Sequence, residues 1–346
     1  MPETVGRSVY LSETDDSVLS SSMLDDAPVF LSLHRQEEMD GQYAEKMKAF
    51  LEKLHEKRCR IIADISKRTL GAFGVSSEEE LMDLLFLYAV RLDYGYDMQE
   101  ILRLSKTRNV VINASTLRRE EYAQLSGQDT VIAMHNFYPR PETGLDEDQL
   151  RRSTDLLHSL GIKVWAFIPG TGRKRGPLYL GLPTLESHRN LPPYAAFADL
   201  LVHYGMDEVF VGDPEIDPEE ERRMERFAKE GILEIPCILK ESCADLYDRI
   251  FTCRIDSPTA LLRVSESREY SIASGKAVPA EDTDVRIRGS ITMDNEAYLR
   301  YCGEIMIVRK DLPKDDRVNV IGHVNEAYIS LPDCVENGAK FSLVRL

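Results

Sequence analysis

The sequence predicts an α/β fold, a (β/α)8 TIM barrel followed by a small β-rich domain. Three observations lead there. Short, almost wholly apolar strands alternate eight times with helical segments, and strands of that kind separated by helices belong to a parallel sheet covered on its outer side. Eight units of this size suit a closed barrel. The runner-up, an open doubly wound sheet, needs a phosphate-binding glycine fingerprint after its first strand, where Ser12-Glu13-Thr14 offers none. From Ile232 onward the helical periodicity gives way to short strands spaced by turns.

The elements follow in order. Arg7–Leu11 is the first strand, and the short connection before Pro28–Leu33 leaves room for only a brief first helix. Tyr43, Met47, Phe50, Leu51 and Leu54 repeat at helical spacing over residues 40 to 57. Arg60–Ala63 delivers Asp64 at its end. Helical stretches after Ser66 and near 77 to 86 lead to Tyr88–Leu92, which delivers Asp93. A helix from Asp97 to Lys106 precedes the strand Asn109–Ile112, which ends in Asn113. A helix from Leu117 to Leu125 precedes Thr130–Met134, which ends in His135. Helix 146 to 160 is closed by Gly161, strand Lys163–Ile168 runs into a long loop, and helix 192 to 204 is closed by Gly205. Glu208–Val211 delivers Gly212-Asp213-Pro214, and Asp217-Pro218-Glu219-Glu220 starts the last helix with proline in its first turn and acids at its positive pole. Strands are then expected at 261–264, 284–288, 305–308 and 317–321. The change of pattern places the barrel domain at 1–240 and the β-rich domain at 241–346.

At 346 residues the chain exceeds the roughly 250 to 300 at which one core stops growing, so a large and a small domain are expected. The six cysteines show no CxxC pair and no metal-ligand rhythm, and they read as reduced thiols. The absence of an apolar run of about 18 residues, and of signal-peptide regions at the amino terminus, points to a soluble cytoplasmic protein without a membrane partner. A net charge of -16 opposes nonspecific binding to nucleic acid. A homo-oligomer is compatible with this composition.

Polar residues at the carboxyl ends of barrel strands converge on one mouth. Here those ends carry His34, Asp64, Asp93, Asn113, His135 with Asn136, and Asp213. Asp64 and Asp93 end consecutive strands, which lie about 4.8 Å apart, so the two form a candidate carboxylate pair for glycoside hydrolysis. The structural alternative pairs Asp93 with Arg91, two positions earlier. Two histidines and two aspartates would also fit a barrel zinc site, but the HxH expected on the first strand is absent, and no metal or other cofactor is expected. The segment His135 to Gly144 packs an imidazole, an amide, a phenol, a guanidinium and a carboxylate into one loop. A plain turn would gain nothing from Phe137 and Tyr138. Arg173, Lys174 and Arg175 sit among glycines in the loop after the seventh strand and offer cations to an anionic group, or simply to solvent. Glu186 to Asn190, before a proline-started helix, reads as a supporting or capping element.

With these residues in view, the chain resembles the MupG family of 6-phospho-N-acetylmuramidases. The resemblance is carried by Ser8–Ser12, Ala63–Ser66, Arg91–Gly95, Ile112–Ser115, His135–Gly144, Arg175–Tyr179, Gly181–Asn190, Val211–Pro214 and Arg286–Ser290, in order along nearly the whole chain. It implies a TIM barrel with a cyclophilin-like β domain. It further implies hydrolysis of the β-1,4 bond between N-acetylmuramic acid 6-phosphate and N-acetylglucosamine during peptidoglycan recycling. By their position at consecutive strand ends, and not through the resemblance, Asp64 and Asp93 are the expected catalytic pair, with Glu142 as substitute acid. His135, Asn136, Tyr138, Asn113, Arg91 and Asp213 are expected to position substrate. Arg173, Arg175, Arg286, Arg288 and Arg300 are the candidate phosphate ligands. The competing functions are a noncatalytic sugar-phosphate binding protein and a metal-dependent barrel hydrolase.

Overall fold

A computed structural model of the protein describes residues 4–11, 24–33, 43–92, 95–115, 119–270 and 277–346. Two compact units divide the chain, the first reaching Glu221 and the second spanning Arg222–Leu346.

The first unit is a closed barrel of eight parallel strands in sequence order: β1 (Gly6–Ser8), β2 (Pro28–Ser32), β3 (Arg60–Ile65), β4 (Ala89–Leu92), β5 (Asn109–Asn113), β6 (Val131–Met134), β7 (Lys163–Ile168) and β8 (Glu208–Val211). β8 pairs back onto β1, so no edge is left open. Among the described residues the helices are α1 (Tyr43–Glu56), α2 (Lys67–Phe73), α3 (Glu78–Leu84), α4 (Met98–Leu104), α5 (Arg119–Ala123), α6 (Glu147–Ser159), α7 (Pro193–Tyr204) and α8 (Pro218–Glu230), the last of which runs on into the second unit.

The helix boundaries have local causes. Ser77 caps α3 by accepting from Glu80 N, and Asp97 with Glu100 forms a capping box on α4. Proline opens α7, and left-handed Gly205 closes it.

Alternation along the strands fills the bore. Phe30, Ile62, Ala89, Val111, Ile132, Met134, Trp165, Phe167 and Phe210 form one buried cluster. Gly6 faces this cluster because a Cβ there would come within 2.4 Å of the Phe210 ring. This parity decides which polar groups reach the mouth. Residues two beyond a bore residue, among them Asp64, Arg91, Asn113 and Asn136, continue on the inner face, and their odd-numbered or even-numbered neighbours face the helices.

The second unit holds β9 (Ile232–Leu239), β10 (Ile250–Thr252), β11 (Leu261–Arg263), β12 (Ser290–Asp294), β13 (Ile305–Val308), β14 (Val318–Val324) and β15 (Lys340–Val344). They make one curled sheet in the order β10-β15-β9-β14-β12-β13-β11, parallel only between β9 and β15. The segment 284–288, expected as a strand, contributes only a single bridge from Arg286 to Leu312. Its alternation is real, but Val285 and Ile287 are each about half exposed, so no buried face holds it in a ladder. The strand forms instead at 290–294, just after Gly289.

Candidate active site

The carboxyl-end mouth of the barrel is where chemistry is expected in this fold. Asp64, at the end of β3, lies in register with Arg91 of β4, and both are only 7% exposed. Arg91 Nη1 stands 3.5 Å from Asp64 Oδ2. Arg91 Nη2 donates to Asn136 Oδ1. A buried carboxylate, a buried guanidinium and a half-buried amide thus form one chain across β3, β4 and the exit of β6. Asp93 and His34 lie outside the described residues.

His135 sits beside this chain on the opposite parity. It is fully buried, its Nδ1 lies 3.4 Å from Ser115 Oγ, and Ser115 Oγ accepts from Asn136 N at 3.2 Å. Burial pushes the imidazole down to about 3, so the ring is neutral. Asn113 Oδ1 accepts from Ser115 N at 2.9 Å and so fixes the turn that presents Ser115. His135 and Asn113 therefore orient the backbone around Asn136.

The loop from Asn136 to Gly144 is held from below. Glu186 accepts from Glu142 N at 2.9 Å and Gly144 N at 2.8 Å. Arg189 binds both carboxylate oxygens of Glu186 and also donates to the carbonyls of Tyr138 and Arg140. The Arg189 guanidinium, with the two loop amides, draws the Glu186 carboxyl down to about 2. Gly144 must lack a side chain, since a Cβ would come within 2.6 Å of Glu186 Oε2. The 3-10 turn that carries Glu186 is pinned in turn, because His188 Nε2 meets Asp199 of α7 at 2.7 Å. Tyr138 is half-buried in this loop. Glu142 is exposed at its outer turn with φ 68°.

The loop after β7 is organised by Asp213, which is 1% exposed. Its carboxylate accepts from the backbone of Gly170, Arg175 and Leu182, and Lys174 Nζ stands 3.7 Å away. Arg173 faces Glu215 at 3.4 Å, with both side chains exposed. Arg175 differs from both. Its guanidinium lies over the rings of Tyr10 at 4.4 Å and Phe137 at 5.3 Å. No described carboxylate pairs with it, and its Nε is buried without a hydrogen-bond partner among the described residues.

Arg286, Arg288 and Arg300 belong to the second unit. Arg288 pairs with Asp333 at 2.6 Å, and Arg300 donates to Tyr301 Oη at 2.7 Å. Ser115, Tyr10 and Thr184, whose hydroxyl donates to the Asn136 carbonyl at 2.9 Å, were not singled out as site residues, although each lies in a segment that carries the family resemblance. Ser115 could have been found from the Asn113-x-Ser115 spacing of an Asx turn.

A buried acid beside a guanidinium that also binds an amide, at the mouth of a (β/α)8 barrel, is the place and the kind of equipment this fold uses for enzyme chemistry. The comparisons make this specific. Family models for the N-terminal and C-terminal regions of 6-phospho-N-acetylmuramidase match residues 5–226 and 234–344. The chain belongs to that family, MupG, and is a glycoside hydrolase. A crystal structure of a conserved protein of unknown function from an Enterococcus faecalis locus is similar over 99% of this chain and 96% of its own, with 30% identity and a TM-score of 0.83. An uncharacterized B. cereus protein shares the fold, with 23% identity, full coverage of both chains and a TM-score of 0.82. No curated protein matches the chain. Among the described residues, no helix is long and apolar enough to cross a membrane.

Proposed function

We propose that the protein hydrolyses the β-1,4 bond between N-acetylmuramic acid 6-phosphate and N-acetylglucosamine in the cytoplasm, during recycling of cell-wall fragments. The observation that carries this reading is the buried Asp64 beside Arg91 at the barrel mouth of a chain matched throughout by this family. A guanidinium 3.5 Å away favours the ionised carboxylate, which assigns Asp64 the role of nucleophile or base. The proton for the leaving oxygen then comes from a second acid. Asp93 is the assignment, since the sequence puts it immediately after the fourth strand, one strand along from Asp64. Glu142 stands on the exposed outer turn and is the alternative. Asn136 and Tyr138 are assigned to hydroxyl and acetamido groups.

The 6-phosphate is assigned to Arg175. Arg173 and Lys174 each face a carboxylate, whereas the half-buried Arg175 guanidinium has no carboxylate partner among the described residues. Charge-assisted hydrogen bonds to phosphate are strongest from such a group.

Purified protein incubated with this disaccharide and with its unphosphorylated twin tests the reading. Release of N-acetylglucosamine from the phosphorylated compound, and little from the twin, is expected. Equal rates on both would remove the phosphate assignment, and tight binding without product would turn the protein into a receptor. The chemistry needs no metal, so prolonged EDTA treatment is expected to leave the rate unchanged.

A further inference from the structure

The second unit contains a cavity of about 540 Å³, lined among others by Arg286, Asp294, Tyr298, Tyr301 and Met306. This volume suits a small-molecule ligand. Two of its polar groups keep hydrogen-bonding capacity that the fold does not use. Asp294, the last residue of β12, is 4% exposed, yet its carboxylate has no hydrogen-bond partner among the described residues. Its oxygens reach the cavity rather than being sealed in the core, so they are available to a ligand's hydroxyl groups. Burial first, then Glu304 and Asp315, pushes this carboxyl up to about 7, so near neutrality it both donates and accepts.

Arg286 is the second. Its Nε donates to the Pro313 carbonyl at 2.9 Å, and no described carboxylate pairs with its outer nitrogens. The other charges of the wall are already matched, because Arg263 reaches Glu304 at 3.0 Å and Asp256 at 3.4 Å. The cavity therefore does not present a free acidic cluster to a cation. It presents one guanidinium, one ambivalent carboxyl and two tyrosines. Tyr298 and Tyr301 stand perpendicular, with ring centroids 6.0 Å apart. Aromatic faces cover the apolar faces of sugar rings, carboxyls bind vicinal hydroxyls, and guanidinium binds an anionic substituent.

We propose that this cavity is a second ligand site, taking a monosaccharide with one anionic substituent, its hydroxyls on Asp294 and its anion on Arg286. The proposal does not rest on the barrel chemistry.

Met306 supplies a local reporter, since its methyl group belongs to the cavity wall. The full chain, labelled with 13C-methyl methionine and carrying Asp64→Asn to suppress turnover, would be titrated with N-acetylglucosamine 6-phosphate. Met306→Leu assigns the signal. A saturable shift of the Met306 resonance is expected. Its apparent affinity should fall about tenfold or more in Arg286→Gln and in Asp294→Ala, the scale of a lost charged hydrogen bond. Thermal midpoints close to the parent show that both variants fold. The proposal is overturned if the Met306 signal stays still at millimolar sugar phosphate, or if it moves with unchanged affinity in both folded variants. It is also overturned if inorganic phosphate alone matches the sugar phosphate, or if magnesium ion moves the signal and the sugar phosphate does not. Failure of the disaccharide assay leaves this readout intact.

Discussion

At the scale of single residues, the mouth separates groups that can touch substrate from groups that hold them in place. Asp64 is on the inward parity, and Asp64→Asn is expected to lose about 100- to 10,000-fold in turnover while the fold persists, as measured by initial rates and circular dichroism. Arg175→Met should raise KM for the phosphorylated disaccharide by about 10- to 100-fold with kcat nearly unchanged, because it removes binding shared by ground and transition states. His135 belongs to the second group. Its folded-state pKa of about 3 lies below the unfolded value of 6.5. The unfolded chain therefore binds the extra proton as pH falls from 6.5 toward 3, and stability drops across that window. Urea midpoints measured at pH 7 and pH 5 should fall more steeply in the parent than in a folded His135→Gln variant; equal slopes would show that the imidazole is not held neutral.

At the scale of elements, the loop after β6 is shaped by a support that begins in α7, with Asp199 holding His188 and Glu186 with Arg189 gripping the loop backbone. Gly144→Ala should collide with Glu186 and lower activity and stability together. Glu142→Gly should relieve a left-handed backbone and raise stability by about 1 kcal/mol. Retained turnover in that variant would leave Asp93 as the acid, and a loss of orders of magnitude would move the assignment to Glu142. This support was only partly legible. Glu186-Ser-His-Arg189 stood out as a supporting element, and the two-residue alternation that sends His135 away from the bore was also present in the sequence. What no local pattern could give was that Glu186 would accept from two amides 42 and 44 positions earlier. Such contacts depend on closure of the barrel.

At the scale of the whole chain, the barrel was legible because parallel strands buried on both faces leave long apolar runs, and nothing competes with that signal. The second unit was less so. Its sheet is mainly antiparallel with no helix between most of its strands, so no strand-and-helix rhythm marks them, and the Val-Arg-Ile-Arg alternation at 285–288 mimics a strand without a face to bury. An interior strand of its sheet is β9, which pairs with β15 on one side and β14 on the other. Glu234 on β9 is 1% exposed and is matched by Arg222, Arg223 and Arg226 from α8. These facts order three fragments. A fragment of residues 241–346 lacks the strand that joins β15 to β14 and is expected to be unfolded. A fragment of residues 232–346 restores the strand but leaves Glu234 buried without its arginines, which strongly destabilises a fold because the remaining charge is uncompensated. A fragment of residues 217–346 retains both and is expected to unfold cooperatively, with the highest urea midpoint of the three. The intermediate fragment should recover stability with Glu234→Gln, since the change removes the stranded charge; if instead 232–346 equals 217–346, the arginine cluster contributes nothing to that unit.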